Sequence, residues 1–406
     1  MTVTKYPAKQ HWAKVARILG LSEGLVYLKS DTLKERHDTD VELVFRQESN
    51  FYYLTGYNEH GAHVVYDIKT HHLTLLPHQQ SEHEVVWAGR DPSASELLNI
   101  SLLKEAIVEA RIHKSAFEIE RMRKINLLSS NAHVVLMKAA KECESETELD
   151  ALFRYETGRR GAKIQAYNPI VGVGSNAATL YYGRNSTSFN QDLGQLILVD
   201  AGAEQDCYAS DITRTYPLNG KFTPDMRTLY EIVLEMQMAV LEALKPGVEW
   251  EAMHRLAAKI AVRGLQQAGV LRSEFSVETM LEHHVDGIFF PHGLGHMIGL
   301  DVHDVGGYPK GVERIQAPGL RYLRMRRKME AGFVVTVEPG VYFTEYILEE
   351  AKQDETLSRF VDWEVLDRFQ RLGGVRIEDC VVITETGIDN LTTVPKTISE
   401  IEEIMG

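Results

Sequence analysis

The most informative part of this chain is residues 291–308, with the sequence PHGLGHMIGLDVHDVGGY. It contains three histidines close together, His292, His296 and His303. Imidazole is a common ligand for transition metals and also a common hydrogen-bond donor to substrate carbonyls. We interpret the three as metal ligands, or as one ligand with two donors. An ordinary structural histidine remains the alternative for one of them.

The spacing of the first two histidines resembles the zinc-binding HExxH helix, but Gly293 occupies the position of the catalytic glutamate. Gly293 and Gly295 favour a loop or bend in which two backbones approach closely. The segment is therefore predicted to be a loop and not a zinc helix.

Four acidic residues complement the histidines, each at or near the end of a short apolar run typical of a strand. They are Asp200, Asp211, Glu338 and Glu378. One imidazole and four carboxylates are more ligands than one divalent ion needs. The pattern predicts a hydrolase with two ions bridged by carboxylate and water, an arrangement that makes a hydroxide at neutral pH. Taken singly, each residue could be a polar residue of a surface turn or a half-buried strand.

The two aspartates are predicted to meet in a hairpin. The apolar run 196–199 ends on Asp200, and a tight turn at Gln205-Asp206 would place Asp200 directly opposite Asp211. Opposed residues of a hairpin lie on one face, about 4.5–5.5 Å apart at Cβ. Two carboxylates at that distance repel each other unless a cation lies between them.

Composition bounds the class of protein. At 406 residues the chain can bury two or three cores, and its net charge of −14 argues against nucleic acid as a partner. The three cysteines, Cys143, Cys207 and Cys380, form no CxxC pair, so no disulfide framework is expected. We find no apolar leader at the N-terminus and no run of membrane-spanning length. The expected location is the cytoplasm.

The chain is predicted to form two domains, residues 1–114 and 115–406. Strand-like runs of the first, an α/β unit, lie at 51–54, 63–66 and 73–76. Ser115 and Glu118 form a capping box that begins the second. Its helices are expected near 115–141, 145–160, 224–245, 250–268 and 277–287, and its strands near 166–172, 195–216, 334–337 and 375–377. Helices and strands segregate rather than alternate, which indicates an α+β fold.

The set Asp200, Asp211, His296, Glu338 and Glu378 resembles the ligand set of the pita-bread metallopeptidases. The runs 291–308 and 311–315 are highly specific for this family, and the similarity is closest to its prolidases, the Xaa-Pro dipeptidases. The resemblance covers nearly all of the second domain. The first domain is similar to the creatinase/prolidase N-terminal domain, most clearly at residues 51–56.

The resemblance implies two divalent ions, manganese first, with cobalt or zinc as alternatives. Asp211 and Glu378 would bridge the two ions. Asp200 would complete the coordination of one ion, and His296 and Glu338 would complete the coordination of the other. Glu338 would also accept a proton from the attacking water.

The resemblance also implies the residues of the substrate site. His292 and His303 would line it, with His303 polarising the scissile carbonyl, and Arg324 would hold the carboxylate of the proline. Tyr181 stands where the family usually has a substrate-contacting histidine, which is a departure from the pattern. Tyr167 and Arg376 match family positions whose side chains support the metal ligands.

The expected function is a metal-dependent dipeptidase that hydrolyses Xaa-Pro and releases proline. The alternatives are an aminopeptidase P, which shortens longer Xaa-Pro peptides, and a non-catalytic binding protein on the same fold. Arg324 discriminates between the first two, because a carboxylate clamp excludes a continuing chain. The family tends to dimerise, so a homodimer is expected, and Trp87 is a candidate to reach the partner's site.

Overall fold

The computed structural model describes residues 6–34, 43–76, 100–190 and 194–406. The chain divides into two compact units, Met1–His113 and Lys114–Gly406. That division falls one residue before the boundary expected from the capping box. Within the described ranges, no helix has the length and apolar character needed to cross a bilayer.

The first unit carries one small sheet. Its helices are α1 (Ala8–Leu19), α2 (Ser49–Thr55) and α3 (Ile100–Ile112), and its strands are β1 (Leu25–Lys29), β2 (His63–Asp67) and β3 (His72–Leu76). The strands form an antiparallel sheet in the order β1-β2-β3. The predicted strands near 63 and 73 are confirmed. Trp87 lies outside the described residues.

The run Phe51–Leu54 is a helix and not the predicted strand. The Glu48 side chain accepts a hydrogen bond from the Phe51 amide and begins α2, and Gly56 ends it in the left-handed conformation. All four residues of the run are buried. A short apolar run buried on every side has no periodicity that separates a strand from a helix, which explains the error.

The second unit contains most of the helices and strands. Its helices are α4 (Ala116–Ala139), α5 (Glu146–Gly158), α6 (Pro224–Ala243), α7 (Trp250–Gln267), α8 (Val277–Glu282), α9 (Asp286–Phe289), α10 (Glu345–Gln353), α11 (Glu355–Ser358), α12 (Trp363–Gln370) and α13 (Ile398–Met405). Its strands are β4 (Ile164–Gln165), β5 (Ile170–Val173), β6 (Leu196–Asp200), β7 (Ala203–Gln205), β8 (Tyr208–Ala209), β9 (Thr213–Pro217), β10 (Val334–Val337), β11 (Gly340–Tyr342), β12 (Gly374–Arg376), β13 (Asp379–Ile383) and β14 (Ile388–Asn390).

The strands of this unit form small antiparallel sheets packed among the helices. Their orders are β5-β6-β9, β4-β7-β8, β10-β13-β14 and β11-β12. Single β-bridges join Thr213 to Glu378 and Met297 to Val335, which tie separate parts of the chain together at the centre of the unit. The α+β class expected from segregated helices and strands is confirmed.

The aspartate hairpin forms, but in a different register from the predicted one. Asp200 pairs with Thr213, and the turn residues are Asp206 and Cys207, both at positive φ. Two consecutive residues of that conformation make the type I′ turn that suits a two-residue hairpin. The predicted pairing of Asp200 with Asp211 was wrong by two residues. A shift of two preserves the face of the strand, so both carboxylates still point to the same side.

The start of α4 gives a test of the capping box. The Ser115 hydroxyl accepts from the Glu118 amide, and the Glu118 side chain accepts from the Ser115 amide at 2.8 Å. We expect Ser115→Ala to cost about 1 kcal/mol of local stability, because the helix loses a cap. Hydrogen exchange of the Glu118 and Ile119 amides should become roughly fivefold faster, whereas Ser115→Thr, which keeps the hydroxyl, should exchange like the wild type. Unchanged exchange in the alanine variant would contradict this role.

Candidate metal centre

Three of the predicted ligands form a compact cluster. Ligand atoms of Asp211, His296 and Glu378 all lie within 4.8 Å of one another, and all three side chains are buried. Nε2 of His296 lies 3.4 Å from Oδ2 of Asp211 and 3.5 Å from Oε1 of Glu338. Three distant parts of the sequence therefore meet at one point of the fold.

The hydrogen bonds of His296 leave a lone pair directed at carboxylates. Its Nδ1 lies 3.0 Å from the Met297 carbonyl oxygen, which can only accept, so Nδ1 carries the proton. Nε2 of the neutral ring is then an acceptor, and it faces the oxygens of Asp211 and Glu338. Acceptors that face one another in a buried site need a positive charge between them. A metal cation meets that need with the geometry already in place.

Asp200 joins the cluster through a shared hydroxyl. The oxygen of Tyr167 lies 2.6 Å from Oδ1 of both Asp200 and Asp211. One hydroxyl has one proton and donates to one carboxylate at a time, so the pair still lacks positive charge. Arg376 supplies part of it by donating to Oδ2 of Asp200 at 2.5 Å. Tyr167 and Arg376 therefore lie directly behind the cluster.

The two glutamates are oriented by threonines of neighbouring strands. Thr213 donates to Oε2 of Glu378 at 2.7 Å, and the Thr336 hydroxyl lies 3.3 Å from Oε1 of Glu338. The Glu338 amide donates to the Leu294 carbonyl at 2.8 Å, which pins the end of β10 against the histidine segment. Sequence reasoning missed both threonines. Thr336 was detectable, since strand alternation places it on the face of Glu338.

Gly295 allows the histidine segment to lie against β10. A Cβ at this position would meet the Thr336 carbonyl oxygen at 2.1 Å, which is a clash with backbone. The His296 amide donates to the Thr336 hydroxyl at 2.9 Å, so the approach is fixed by hydrogen bonds as well. The predicted close backbone approach is confirmed. It places His296 beside the two glutamates.

A chain of hydrogen bonds orients His292. Arg376 donates to the Tyr342 hydroxyl at 2.7 Å, and this hydroxyl lies 2.9 Å from Nε2 of His292. Nδ1 of His292 lies 2.8 Å from the Gly293 carbonyl oxygen and therefore donates to it. Burial, helped by the charge of Arg376, lowers the pKa of His292 to about 3. Tyr342 was missed by sequence reasoning, because no local pattern shows which residue a β11 side chain reaches.

His303 lines the cavity beside His296. The two rings meet edge to face, with centroids 4.5 Å apart. The next residue, Asp304, forms a buried ion pair with Lys114 at 2.8 Å, and its amide donates to the Met297 carbonyl. The loop that carries His303 is therefore anchored on both sides, and the ring keeps a fixed position.

The electrostatics of the cluster favour the binding of cations. Burial, together with the neighbouring carboxylates, raises the pKa of Asp211, Glu338 and Glu378 well above the ordinary range. Burial lowers the pKa of His296 to about 4, so its ring is neutral at pH 7. Divalent cations would replace protons on the acids and occupy the free lone pair of the imidazole. The residues present fit such ions.

All nine residues predicted for the site line a single cavity of about 1460 Å³. They are Tyr181, Asp200, Asp211, His292, His296, His303, Arg324, Glu338 and Glu378. Arg324 donates to the Tyr181 hydroxyl at 2.6 Å, and the Tyr181 side chain is 74% exposed. The structure brings these residues together, while the roles assigned to them from the resemblance stay predictions.

Comparison with known proteins agrees with this arrangement. Residues 120–385 match metallopeptidase family M24, and residues 9–128 match the N-terminal domain of aminopeptidase P. A probable Xaa-Pro aminopeptidase from Botryotinia fuckeliana is 40% identical, over 99% of this chain and 97% of its own length. A second, from Pyricularia oryzae, is 39% identical over 99% and 97%.

Two solved structures show the same architecture. Proline aminopeptidase P II from Yersinia pestis superposes with a TM-score of 0.79 at 29% identity and covers 99% of both chains. Aminopeptidase P from Escherichia coli, solved with the inhibitor Pro-Leu, gives a TM-score of 0.78 at 29% identity and covers 98% of both. A smaller N-terminal domain followed by a pita-bread domain is thus confirmed. The closer similarity to prolidases is not confirmed, because these relatives are named aminopeptidases.

The cluster predicts how a ligand substitution affects metal content. Asp211→Asn removes a negative charge from the centre of the cluster, so we expect metal affinity to fall by about 100-fold or more. Elemental analysis after desalting should find about one ion fewer per chain. Asp206→Asn is a matched control in the same hairpin, since Asp206 is partly exposed and paired with Arg121. Equal metal content in the wild type and Asp211→Asn would remove Asp211 from the ligand set.

The raised pKa values predict a pH-dependent effect of metal on stability. Folding raises the pKa of Asp211 and Glu378. In the metal-free protein, their contribution to the free energy of unfolding is therefore fully present at pH values below the unfolded pKa, which is about 4. The metal-free protein loses that contribution as pH rises through the folded pKa. Metal binds the deprotonated acids, so added Mn²⁺ should raise Tm more at pH 8 than at pH 5. Scanning calorimetry at both pH values checks this, and equal shifts would contradict it.

Proposed function

Since this chain belongs to metallopeptidase family M24, we propose that it removes the N-terminal residue from peptides whose second residue is proline. The observation that carries this proposal is the cavity. The acidic cluster opens onto about 1460 Å³, which exceeds the usual size of a small-molecule pocket. Such a volume accommodates a chain that continues beyond proline. The relatives named Xaa-Pro aminopeptidase, which match along almost their whole length, support the same substrate class.

Hydrolysis of free Xaa-Pro dipeptides, the function favoured by the sequence, is the second candidate. Arg324 lines the cavity and is suited to a proline carboxylate, since a guanidinium can bind a carboxylate by two parallel hydrogen bonds. The relatives support the aminopeptidase better. Manganese as the metal, a homodimer and a cytoplasmic location are further parts of the proposal, and the part assigned to Trp87 stays a prediction.

The metal ions, when bound by Asp200, Asp211, His296, Glu338 and Glu378, polarise the scissile carbonyl and lower the pKa of water. Each neighbouring side chain then has a defined task. Glu338 accepts the proton of the attacking water. It is suited to this because burial and the charge of Glu378 raise the pKa of its carboxyl group. It passes this proton to the departing proline nitrogen.

The two histidines that face the substrate are neutral, and His303 acts as a hydrogen-bond donor. Burial lowers the pKa of His303 to about 3, so its ring is uncharged at pH 7 and one nitrogen carries a proton. That N–H donates to the carbonyl oxygen as negative charge develops on it. His292, held by Tyr342 and the Gly293 carbonyl, forms the adjoining wall and fixes the position of the peptide.

Substrate length separates the two candidates. With added Mn²⁺ we expect kcat/KM for Ala-Pro-Ala to exceed that for Ala-Pro by about tenfold or more, and chelation to abolish both activities. The physical reason is that the longer peptide fills more of the cavity and contributes binding energy remote from the scissile bond. Release of alanine, measured by chromatography, is the readout.

The outcome that contradicts the proposal is equally specific. A dipeptidase would prefer Ala-Pro, and Arg324→Ala would then remove a charge-assisted contact to its carboxylate. Such a loss is about 2–4 kcal/mol, or roughly 30- to 1000-fold in kcat/KM. Most of it would appear in KM, because the contact is remote from the bond that breaks. Amidated Ala-Pro would be much less affected.

A further inference from the structure

One wall of the cavity carries three arginines, Arg314, Arg321 and Arg324. All three side chains are exposed, and they lie on one connected segment of the chain. Among the residues that the structure describes, none of the three forms an ion pair with a carboxylate. We refer to Arg314, Arg321 and Arg324 as the arginine wall.

The protein is acidic, with a net charge of −14, and several of its surface arginines form ion pairs with carboxylates. Arg255, for example, pairs with Glu251 at 2.8 Å, and Arg368 pairs with Asp225 at 2.7 Å. Arg326, close to the wall, reaches Glu251 at 3.3 Å. The guanidinium groups of the wall, in contrast, are not held in ion pairs with carboxylates of the described residues.

Neutral groups hold the three guanidinium groups in place. Arg324 donates to the hydroxyl of Tyr181 at 2.6 Å, and Arg321 lies over the ring of Tyr322 at 4.9 Å. Arg314 lies over a tyrosine ring at 4.8 Å and donates to a main-chain carbonyl oxygen. A phenol or a carbonyl orients a guanidinium without cancelling its charge, so each keeps donors for an anion.

The backbone that carries the wall is fixed. Leu323 and Met325, on either side of Arg324, are buried. The Tyr308 hydroxyl donates to the Leu323 carbonyl at 2.8 Å, and the Arg326 amide donates to the Gly307 carbonyl at 2.8 Å. Because the main chain is held, an anion bound here loses little affinity to reordering of the protein.

Another part of the cavity lining has a different character. Helix α10 contributes Tyr346, Ile347 and Glu350 to the lining, and Asp354 follows at its end. Asp354 is already used, since its side chain accepts from the amides of Thr356 and Leu357 at the start of α11. Arg376 also lines the cavity but pairs with Asp200, and the other arginines of the lining form the arginine wall, whereas α10 carries acidic and apolar groups.

We propose that the arginine wall is a subsite for acidic side chains of the substrate, beyond the proline. The inference rests on the proposed aminopeptidase function, because only a peptide that continues past proline can reach such a subsite. The favoured substrates are Xaa-Pro peptides with aspartate or glutamate in the third or fourth position. The exposed wall attracts them by charge, so the preference weakens as salt screens it.

Amidated tetrapeptides test the proposal without interference from a terminal carboxylate. We expect kcat/KM for Ala-Pro-Asp-Ala-amide to exceed that for Ala-Pro-Asn-Ala-amide by about threefold to tenfold at low salt. The ratio should fall toward one in 0.5 M salt, and Ala-Pro-Lys-Ala-amide should be the poorest of the three. The effect should appear mainly in KM.

Variants assign the preference to the wall. Arg321→Gln combined with Arg314→Gln should reduce the Asp-to-Asn ratio to near one. Arg371→Gln is the matched control: it makes the same chemical change at a side chain that is 75% exposed and does not line the cavity. It should retain the wild-type ratio. A ratio of one in the wild type, or a ratio unchanged in the double variant, would overturn the subsite.

The design keeps the two proposals distinguishable. Cleavage of the Asp and Asn peptides with equal efficiency would remove the subsite and leave the aminopeptidase function intact. Cleavage of neither would remove the function. In that event calorimetric binding of Pro-Asp-Ala-amide and Pro-Asn-Ala-amide to the Mn²⁺-loaded protein decides the subsite, since binding needs no turnover. Tighter binding of the aspartate peptide, lost in the double variant, supports it, and equal binding overturns it.

Discussion

The constraint on which this structure depends is the mutual repulsion of carboxylates held together in a buried place. Asp211 and Glu378 lie close together in the cluster. The free lone pair of His296 faces the carboxylates of Asp211 and Glu338. In a low-dielectric interior, such a cluster of carboxylates destabilises the folded state unless positive charge is supplied. Part of that charge comes from the protein, through Arg376 on Asp200. The remaining deficit is what suits the cluster to divalent cations.

The fold holds this unfavourable arrangement by fixing every ligand from outside. Threonines on β9 and β10 orient the two glutamates, and Gly295 brings the histidine segment within hydrogen-bond distance of β10. A second buried network lies behind Glu378, where Arg214 pairs with Asp379 and donates to the Glu378 carbonyl oxygen at 2.7 Å. Ligands supported in this way cannot move apart to relieve their repulsion, so the site stays ready for metal.

The cavity adds a second use of charge. Around the acidic cluster, the histidines are neutral because burial lowers their pKa values to about 3 or 4. Positive charge is reserved for arginines, and those of the arginine wall are oriented by uncharged partners such as Tyr181. The same cavity therefore combines an acidic end, which suits cations, with a basic wall, which suits anionic groups. The two ends select for opposite charges.

The sequence by itself indicated the acidic and histidine residues of the candidate site. It also determined the α+β class and most helix bounds, because apolar periodicity, the Ser115 cap and residues such as Pro224 act locally. The prediction was wrong at Phe51–Leu54, because a run that is buried on every side shows no apolar periodicity. The predicted register of the hairpin was also wrong by two residues. Only the tertiary structure decided which distant groups meet: Tyr342 with His292, Thr213 with Glu378 and Tyr181 with Arg324. Those contacts join residues 50 to 165 positions apart, and no local preference encodes such distances.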